Sequence, residues 1–503
     1  MNNRHYLSIV GLLLLPLFIL AYQFTIPAED AVILYEYAKN LARTGVISYG
    51  GANIPIEGAT DFLWMLCIAA LKKIGFPEFF SSLLLNFVGV LILVALIKPG
   101  KARFLAVIAL LTTAYFYSAL LGFSTIFFSA VYCWCLYLLL NNKPHLYFSI
   151  LILCLIRPDG VVWGSGLVLF SFLAAQGNTA PKNAMFKFVI HLVIPGTIYF
   201  FWRAWYFSEW LPLPFLVKAS GHRDLFIFWI HSLKAVGIAL IPALLAIFFV
   251  QTRRVYLKKF MILFAFPCLF YSVMQLEQNI GNRFLAPMFF GSMLLLSYEI
   301  KAISLLVFTF ASALLSIPTT IPTIKDILNS ADENTYYISR ELSGLGGKML
   351  VTEAGRLAYY SDWLTHDSWG LNTPQYAHNL IQGSDLRAGD YDLIVGHCQL
   401  SLLSQIVPEQ AYENKTWGNQ CEVLISYIQS ANYKVFLVPF LKENSSKTSL
   451  RNLMGLGSYN LARRRYDLYA ISPNYKNSIA LESLLTQYGG IKYSSSSVSF
   501  GSP

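Results

Sequence analysis

Charge is what this 503-residue sequence has least of: 13% of its residues are Asp, Glu, Lys or Arg, against 56% hydrophobic. Soluble domains carry about 25% charged residues. A wholly soluble chain is therefore excluded, and a polytopic α-helical membrane protein is expected. Acid is scarcer than base, 27 residues against 37, which leaves a net charge of +10. That excess does not point to nucleic acid, because many of the cations lie in short segments between apolar runs, where they orient helices. Cysteine is also sparse. Cys67, Cys133, Cys135, Cys154 and Cys268 lie in apolar surroundings and read as small buried hydrophobes. Cys398 and Cys421 stand alone in the C-terminal part, where a disulfide is open to them if that part faces an oxidising compartment. A phosphate-cradling P-loop and a dinucleotide glycine fingerprint are both missing, so nothing points to a nucleotide.

What is present is a series of apolar runs, at 7–24, 79–97, 103–120, 124–140, 145–156, 161–176, 187–205, 235–250, 260–276, 284–300 and 302–318. A span needs about 20 residues, so 145–156 and 161–176 are short for one. The first run has Arg4 before it and no small-residue cleavage site after it, and reads as a membrane helix rather than a signal peptide. The shorter segment 62–74 reads as an interfacial helix. With the N-terminus inside and 62–74 not crossing, Lys98, Lys101, Arg103, Lys143, Lys182, Lys187, Arg253, Arg254, Lys258 and Lys259 all fall in inside loops. This obeys the positive-inside rule, and the opposite choice breaks it. The expectation is about eleven transmembrane helices over 1–320 with a first outer loop at 25–78, and an extracytoplasmic α/β domain over 321–503.

That topology collects polar motifs on the outer face. The first loop holds Glu29, Asp30, Glu36, Glu57 and Asp61 in a chain short of acid. The others are Arg157-Pro158-Asp159-Gly160, the segment 203–218 with Arg203 and Lys218, and Asn282-Arg283. Ionisable residues at span ends that converge on one side mark a functional site. Carboxylates and cations there suit transfer from a lipid-phosphate donor. A carboxylate takes the proton of an acceptor hydroxyl, while Arg157, Arg203, Lys218 and Arg283 hold the phosphate.

On these residues the chain resembles the GT-C superfamily of membrane glycosyltransferases. Glu29-Asp30-Ala31, then Tyr37-Ala38-Lys39-Asn40-Leu41, then Glu57-Gly58-Ala59-Thr60-Asp61-Phe62-Leu63-Trp64, is similar to the first-loop pattern of terminal arabinofuranosyltransferases that use a polyprenyl-phosphate sugar. Arg157-Pro158-Asp159-Gly160, Arg203 with Tyr206, Leu211-Pro212 and Lys218, and Arg283-Phe284-Leu285 with Pro287 are similar to later motifs of the same family. So is Glu353-Ala354-Gly355 with Tyr359-Tyr360 and Gly370-Leu371. The resemblance implies an inverting hexosyl- or pentosyltransferase of the bacterial inner membrane, with Glu29 or Asp30 as catalytic base. It implies Tyr37, Asn40, Glu57, Thr60, Trp64 and Asp159 as supporting residues, and it admits a divalent metal, Mg or Mn, on Glu29 and Asp30. Its partners are a polyprenyl-phosphate-linked sugar, an envelope glycan, lipid or protein acceptor, and membrane lipid. The chain departs from the pattern in having Glu29-Asp30 for paired Asp, Glu36 for Arg, and Leu213-Pro214 for Asn-Thr, so the sugar stays open.

Two other classes compete with a transferase: a transporter or flippase, and an accessory subunit of envelope glycan assembly. No internal repeat or mid-span charge pair supports the former. In the C-terminal part, 349–353, 393–396 and 435–438 read as strands and 422–430 as a helix. His366, His378 and His397 lack ligand spacing and read as loop or surface residues. Tyr359, Tyr360 and Trp363 serve either glycan stacking or core packing. Arg463-Arg464-Arg465 reads as a solvated charge run, and 494–499 as a Ser-rich tail.

Overall fold

The computed structural model describes residues 3–175, 181–220, 225–274, 276, 279–298, 302–379, 381–400, 415–442 and 466–493. Arg463-Arg464-Arg465 and the Ser-rich tail lie outside the described residues. The chain forms two compact units. Unit 1 comprises Met1–Ala28, Thr60–Ser208 and Leu225–Ser330, and unit 2 comprises Glu29–Ala59, Glu209–Asp224 and Ala331–Pro503. Compactness thus divides the chain differently from hydropathy. The helix Ala302–Ser330 runs past residue 320, and most of the first loop belongs to the unit that holds the C-terminal sheet.

Unit 1 is helical, and each of the eleven apolar runs falls on a helix. Among the described residues, seven helices are long and apolar enough to cross a membrane. The pair Lys101–Leu111 and Ala114–Leu120 is bent by 64°. The runs from 124 to 176 fall on three shorter apolar helices, Thr125–Leu140, Leu146–Ile156 and Gly160–Ala174. At 1.5 Å per residue, the 11 residues of Leu146–Ile156 cover only about 16 Å of a hydrocarbon core roughly 30 Å thick. The segment 62–74 is a 12-residue helix, Phe62–Lys73.

Apolar surface alone does not align these helices, so small residues and buried amides do. A Cβ on Gly89 would stand 2.9 Å from Phe127 Cα, so the helices Glu78–Leu96 and Thr125–Leu140 approach at bare backbone there. Three residues earlier, the fully buried Asn86 caps the second helix from the first. Its Oδ1 accepts the N–H groups of Ile126 and Phe127, each at 3.2 Å. Its Nδ2 donates to Phe123 O at 2.8 Å and Ser82 O at 3.0 Å. Helix-start N–H groups need such a partner.

Unit 2 is an α/β unit with a six-stranded mixed sheet. The strands are β1 (Lys348–Val351), β2 (Leu364–Asp367), β3 (Leu393–Leu400), β4 (Lys434–Pro439), β5 (Tyr466–Ile471) and β6 (Ile491–Tyr493). Their order is β2-β1-β3-β5-β4-β6. β1 runs parallel to β2 and β3, and the other pairings are antiparallel. Alternate residues enter opposite cores, as the two-residue period of a strand requires. On β1, Leu350 packs with Tyr391, Ile394 and Leu424, while Met349 and Val351 pack with Trp363, Phe436 and Leu485. Cys398 on β3 is disulfide-bonded to Cys421 on the helix Lys415–Ser430, with Cα atoms 5.9 Å apart.

Replacing Asn86 by Ala orphans two helix N–H groups and takes a donor from the Phe123 carbonyl. At about 1 kcal/mol or more per buried group left unpaired, the loss is roughly 2–4 kcal/mol. It reads out as a lower midpoint of thermal unfolding in detergent, and an unchanged midpoint removes the cap from the account.

Candidate functional site

The helix Glu29–Thr44 places Glu29 and Asp30 in its first turn, where the N-terminal dipole favours carboxylates. Glu29 reaches into the sheet part of unit 2. Its Oε1 accepts the backbone N–H of Gly355 at 2.7 Å and of Arg356 at 2.9 Å. Its Oε2 lies 3.6 Å from Arg356 Nε. Position 355 must be glycine for this contact, because a Cβ there would stand 2.2 Å from Glu29 O. Arg356, itself buried, also makes a close ion pair with Glu333. Burial pushes the Glu29 carboxyl above its ordinary range, against the pull of Arg356 and the two N–H donors.

Around this pair lie groups to which the sequence reading gave no catalytic role. His397 on β3 has Nδ1 2.6 Å from Asp467 Oδ1 on β5. Thr335 Oγ1 donates to the other Asp467 oxygen at 3.2 Å, and the backbone N–H of His397 donates to Thr352 Oγ1 at 2.7 Å. A carboxylate fixed on both oxygens sets the tautomer and direction of the imidazole. Glu353, just past β1, is half-buried. Burial pushes its carboxyl up to about 8, opposed by His397 and helped by the charges of Glu29, Asp30 and Asp467. Burial thus favours the protonated form of Glu353 beside the charges of Glu29, Asp30 and Asp467, and a shifted carboxyl among other carboxyls is a candidate for acid–base chemistry.

The surface reading of the histidines is corrected for two of the three. His397 is held by Asp467, and His366 on β2 has Nδ1 2.8 Å from Tyr391 Oη. They lie on β2 and β3, the two strands that flank β1, which ligand spacing does not reveal. His378 is 54% exposed, with Nε2 3.2 Å from Glu209 Oε1. Trp363 is core, 1% exposed, with its N–H donating to Leu342 O at 2.8 Å.

The supporting residues of the first loop hold unit 2 together. Tyr37, fully buried, donates its hydroxyl to Asn372 Oδ1 and accepts the Gly58 N–H, both at 3.0 Å. Asn372 is fixed in turn by Asp367, 3.0 Å from both its backbone and its amide nitrogen. Asn40 donates to Glu36 Oε1 at 2.9 Å and to Ser48 O at 3.1 Å. Glu57 is buried, and its carbonyl accepts the Leu213 N–H at 3.2 Å. Lys218 lies on the helix Leu213–Ser220, with its side chain outside the described residues.

Unit 1 brings another set together. Arg157 grips Asp159 with two hydrogen bonds, Nε to Oδ1 at 2.8 Å and Nη2 to Oδ2 at 3.0 Å. Tyr271 Oη donates to Asp159 Oδ2 at 2.7 Å. Ser124 Oγ is 3.5 Å from Arg157 Nη1 and donates to Asp61 Oδ2 at 3.2 Å. Asp61 lies within electrostatic range of both Arg157 and Arg283. The guanidinium of Arg283 stacks 3.7 Å from the Phe123 ring, and both arginines flank Phe284 at 5.1–5.2 Å. Two cations thus converge, but one edge of Arg157 already serves Asp159. Arg203 is buried on the helix Ile194–Phe207, 5.7 Å from the Phe200 ring. Trp64 is fully buried, with its ring 5.6 Å from that of Phe127, and Thr60 is half-buried.

A divalent metal on Glu29 and Asp30 does not fit these surroundings. Oε1 of Glu29 faces two N–H groups and Oε2 faces a guanidinium, donors that a dication would have to displace. Among the described residues, no group of three or more His, Cys, Asp or Glu side chains is placed to hold an ion.

The Glu353 carboxyl gives unit 2 a pH signature. It holds its proton in the folded state up to about pH 8, whereas an unfolded Glu releases it near 4.3. The folded state therefore binds more protons between those limits, and stability falls as pH rises from about 4.5 to 8. Glu353→Gln should flatten that decline in unfolding midpoints measured across the range, and a decline as steep as wild type counts against a protonated Glu353. Compared with known proteins, the chain matches no family model, no curated protein and no solved structure.

Proposed function

We propose that the protein is an inverting membrane glycosyltransferase that moves a sugar from a polyprenyl phosphate to an envelope acceptor on the outer face of the bacterial inner membrane. The observation that carries this reading is the acid–base cluster at the first turn of the helix Glu29–Thr44, where Glu29, Asp30, Glu353 and the His397–Asp467 pair meet. The seven long apolar helices support a multi-pass protein. The disulfide supports an oxidising side for unit 2, since such bonds persist outside the cytosol. About eleven spans, with the N-terminus inside, are consistent with that side.

In the proposed reaction the acceptor hydroxyl gives its proton to a carboxylate, and its oxygen forms a bond to the anomeric carbon. The bond from that carbon to the phosphate oxygen breaks with its electron pair, so polyprenyl phosphate leaves and the configuration inverts. Asp30 is the better base. Asp30 follows Glu29 in the first turn of the helix and its charge reaches Glu353, while Glu29 clamps Gly355 and Arg356. Within unit 1, Arg157 and Arg283 form a separate cationic cluster that suits an anionic group, with Asp61 and Asp159 keeping the arginines ordered.

Transfer from a labelled polyprenyl-phosphate sugar separates these roles. Asp30→Asn should lower turnover by about 10²–10⁴, the usual contribution of a general base, with the unfolding midpoint retained. Glu29→Gln should lower the midpoint as well as the rate. Full turnover in Asp30→Asn would sink the assignment.

A further inference from the structure

Unit 2 contains a second polar concavity, of about 150 Å³, formed where the helix Glu29–Thr44 meets the turn at 48–53 and the corner before β2. Glu36 is at its floor, only 2% exposed. Its Oε1 accepts from Asn40 at 2.9 Å, and its Oε2 is 2.7 Å from Lys39 Nζ. Lys39 is fixed further by Asp362 Oδ1 at 3.0 Å and by Tyr359 O at 2.7 Å. Arg43 and Asp362 stand at the rim, 3.7 Å apart and 65% and 60% exposed. Asn53 completes the wall.

Three properties of this concavity define a ligand. Its volume equals roughly five waters at about 30 Å³ each, which admits one small ring and is below the 300 Å³ or more that drug-sized ligands need. Its charges balance, two carboxylates against Lys39 and Arg43, so it offers no net attraction to an ion. Its lining mixes acceptors (Glu36, Asp362) with donors (Arg43) and an amide that does both (Asn53), which suits hydroxyl groups that both give and accept hydrogen bonds. An ammonium group already sits against Glu36, which leaves no place for a metal ion.

We propose that this pocket binds one neutral sugar ring, a unit of the acceptor glycan beyond the one that is glycosylated. The ligand class comes from the pocket itself, and only its place in the acceptor rests on the transferase reading. Glu36 follows Glu29 by two helical turns, about 10 Å at 1.5 Å per residue, and residues so spaced share a helix face. The segment 355–362 packs along that face between them, so the pocket is set apart from the Glu29 clamp.

The test uses the full-length protein in lipid nanodiscs, with binding followed by saturation-transfer NMR. The probes are free glucose, galactose, mannose, arabinose and rhamnose, with glucosamine and glucuronate as charged counterparts. At least one neutral sugar should bind saturably. The double variant Arg43→Ala/Asn53→Ala should raise its dissociation constant about tenfold, as loss of one or two hydrogen bonds would. Both side chains are exposed, so the fold is not at stake, and Glu36→Gln tests the floor separately. The inference is overturned if no neutral sugar binds, if the double variant binds it equally well, or if a charged probe binds better. No transfer is needed for this readout. Sugar binding can therefore stand while the transferase reading fails, and transfer can stand while the pocket fails.

Discussion

The carboxylate of Glu29 is what unit 2 depends on. One of its oxygens receives two consecutive backbone N–H groups from 326 and 327 residues further along the chain. A carboxylate removed from water is costly unless such donors meet it. Here the donors are main-chain groups and a guanidinium that is itself countered by Glu333. Tyr37 and Tyr49 extend the junction. Tyr37 bonds to Asn372, and the Tyr49 hydroxyl donates to Ala354 O at 2.6 Å. A segment that reads as a loop in hydropathy is, in packing, part of an α/β unit.

The same junction sets the two adjacent carboxylates in different directions. Adjacent residues on a helix point about 100° apart, so Glu29 and Asp30 cannot share one partner set. Glu29 has the longer side chain and spans to the 355–356 backbone. Glu at the first position supplies the reach the clamp needs.

Much of the architecture was legible in the sequence, because its signals are local. Apolar runs gave the helices, and the strands at 349–353, 393–396 and 435–438 are near β1, β3 and the core of β4. Short or masked signals failed. β2 is Leu-Thr-His-Asp, with no apolar alternation, and β5 is buried along its whole length and so shows no period either. The first-loop carboxylates stood out because acid is rare in this chain. His397 and Asp467 did not, since 70 residues separate them and only the pairing of β3 with β5 makes them neighbours. Asp61 was visible in the first-loop pattern, but its place beside Arg157 and Arg283 required the packing of unit 1.

The discontinuity of unit 2 has a consequence for biosynthesis. Residues 29–59 emerge early, yet the backbone that Glu29 binds arrives some 326 residues later. At 5–20 residues per second, that is a wait of roughly 15 to 65 s. Throughout it the helix lacks the partner of its first carboxylate, while the intervening apolar helices are being made. Closing so distant a contact is slow and late in folding. A chain cut short before residue 355 would therefore keep its apolar helices and still lack the backbone that Glu29 binds.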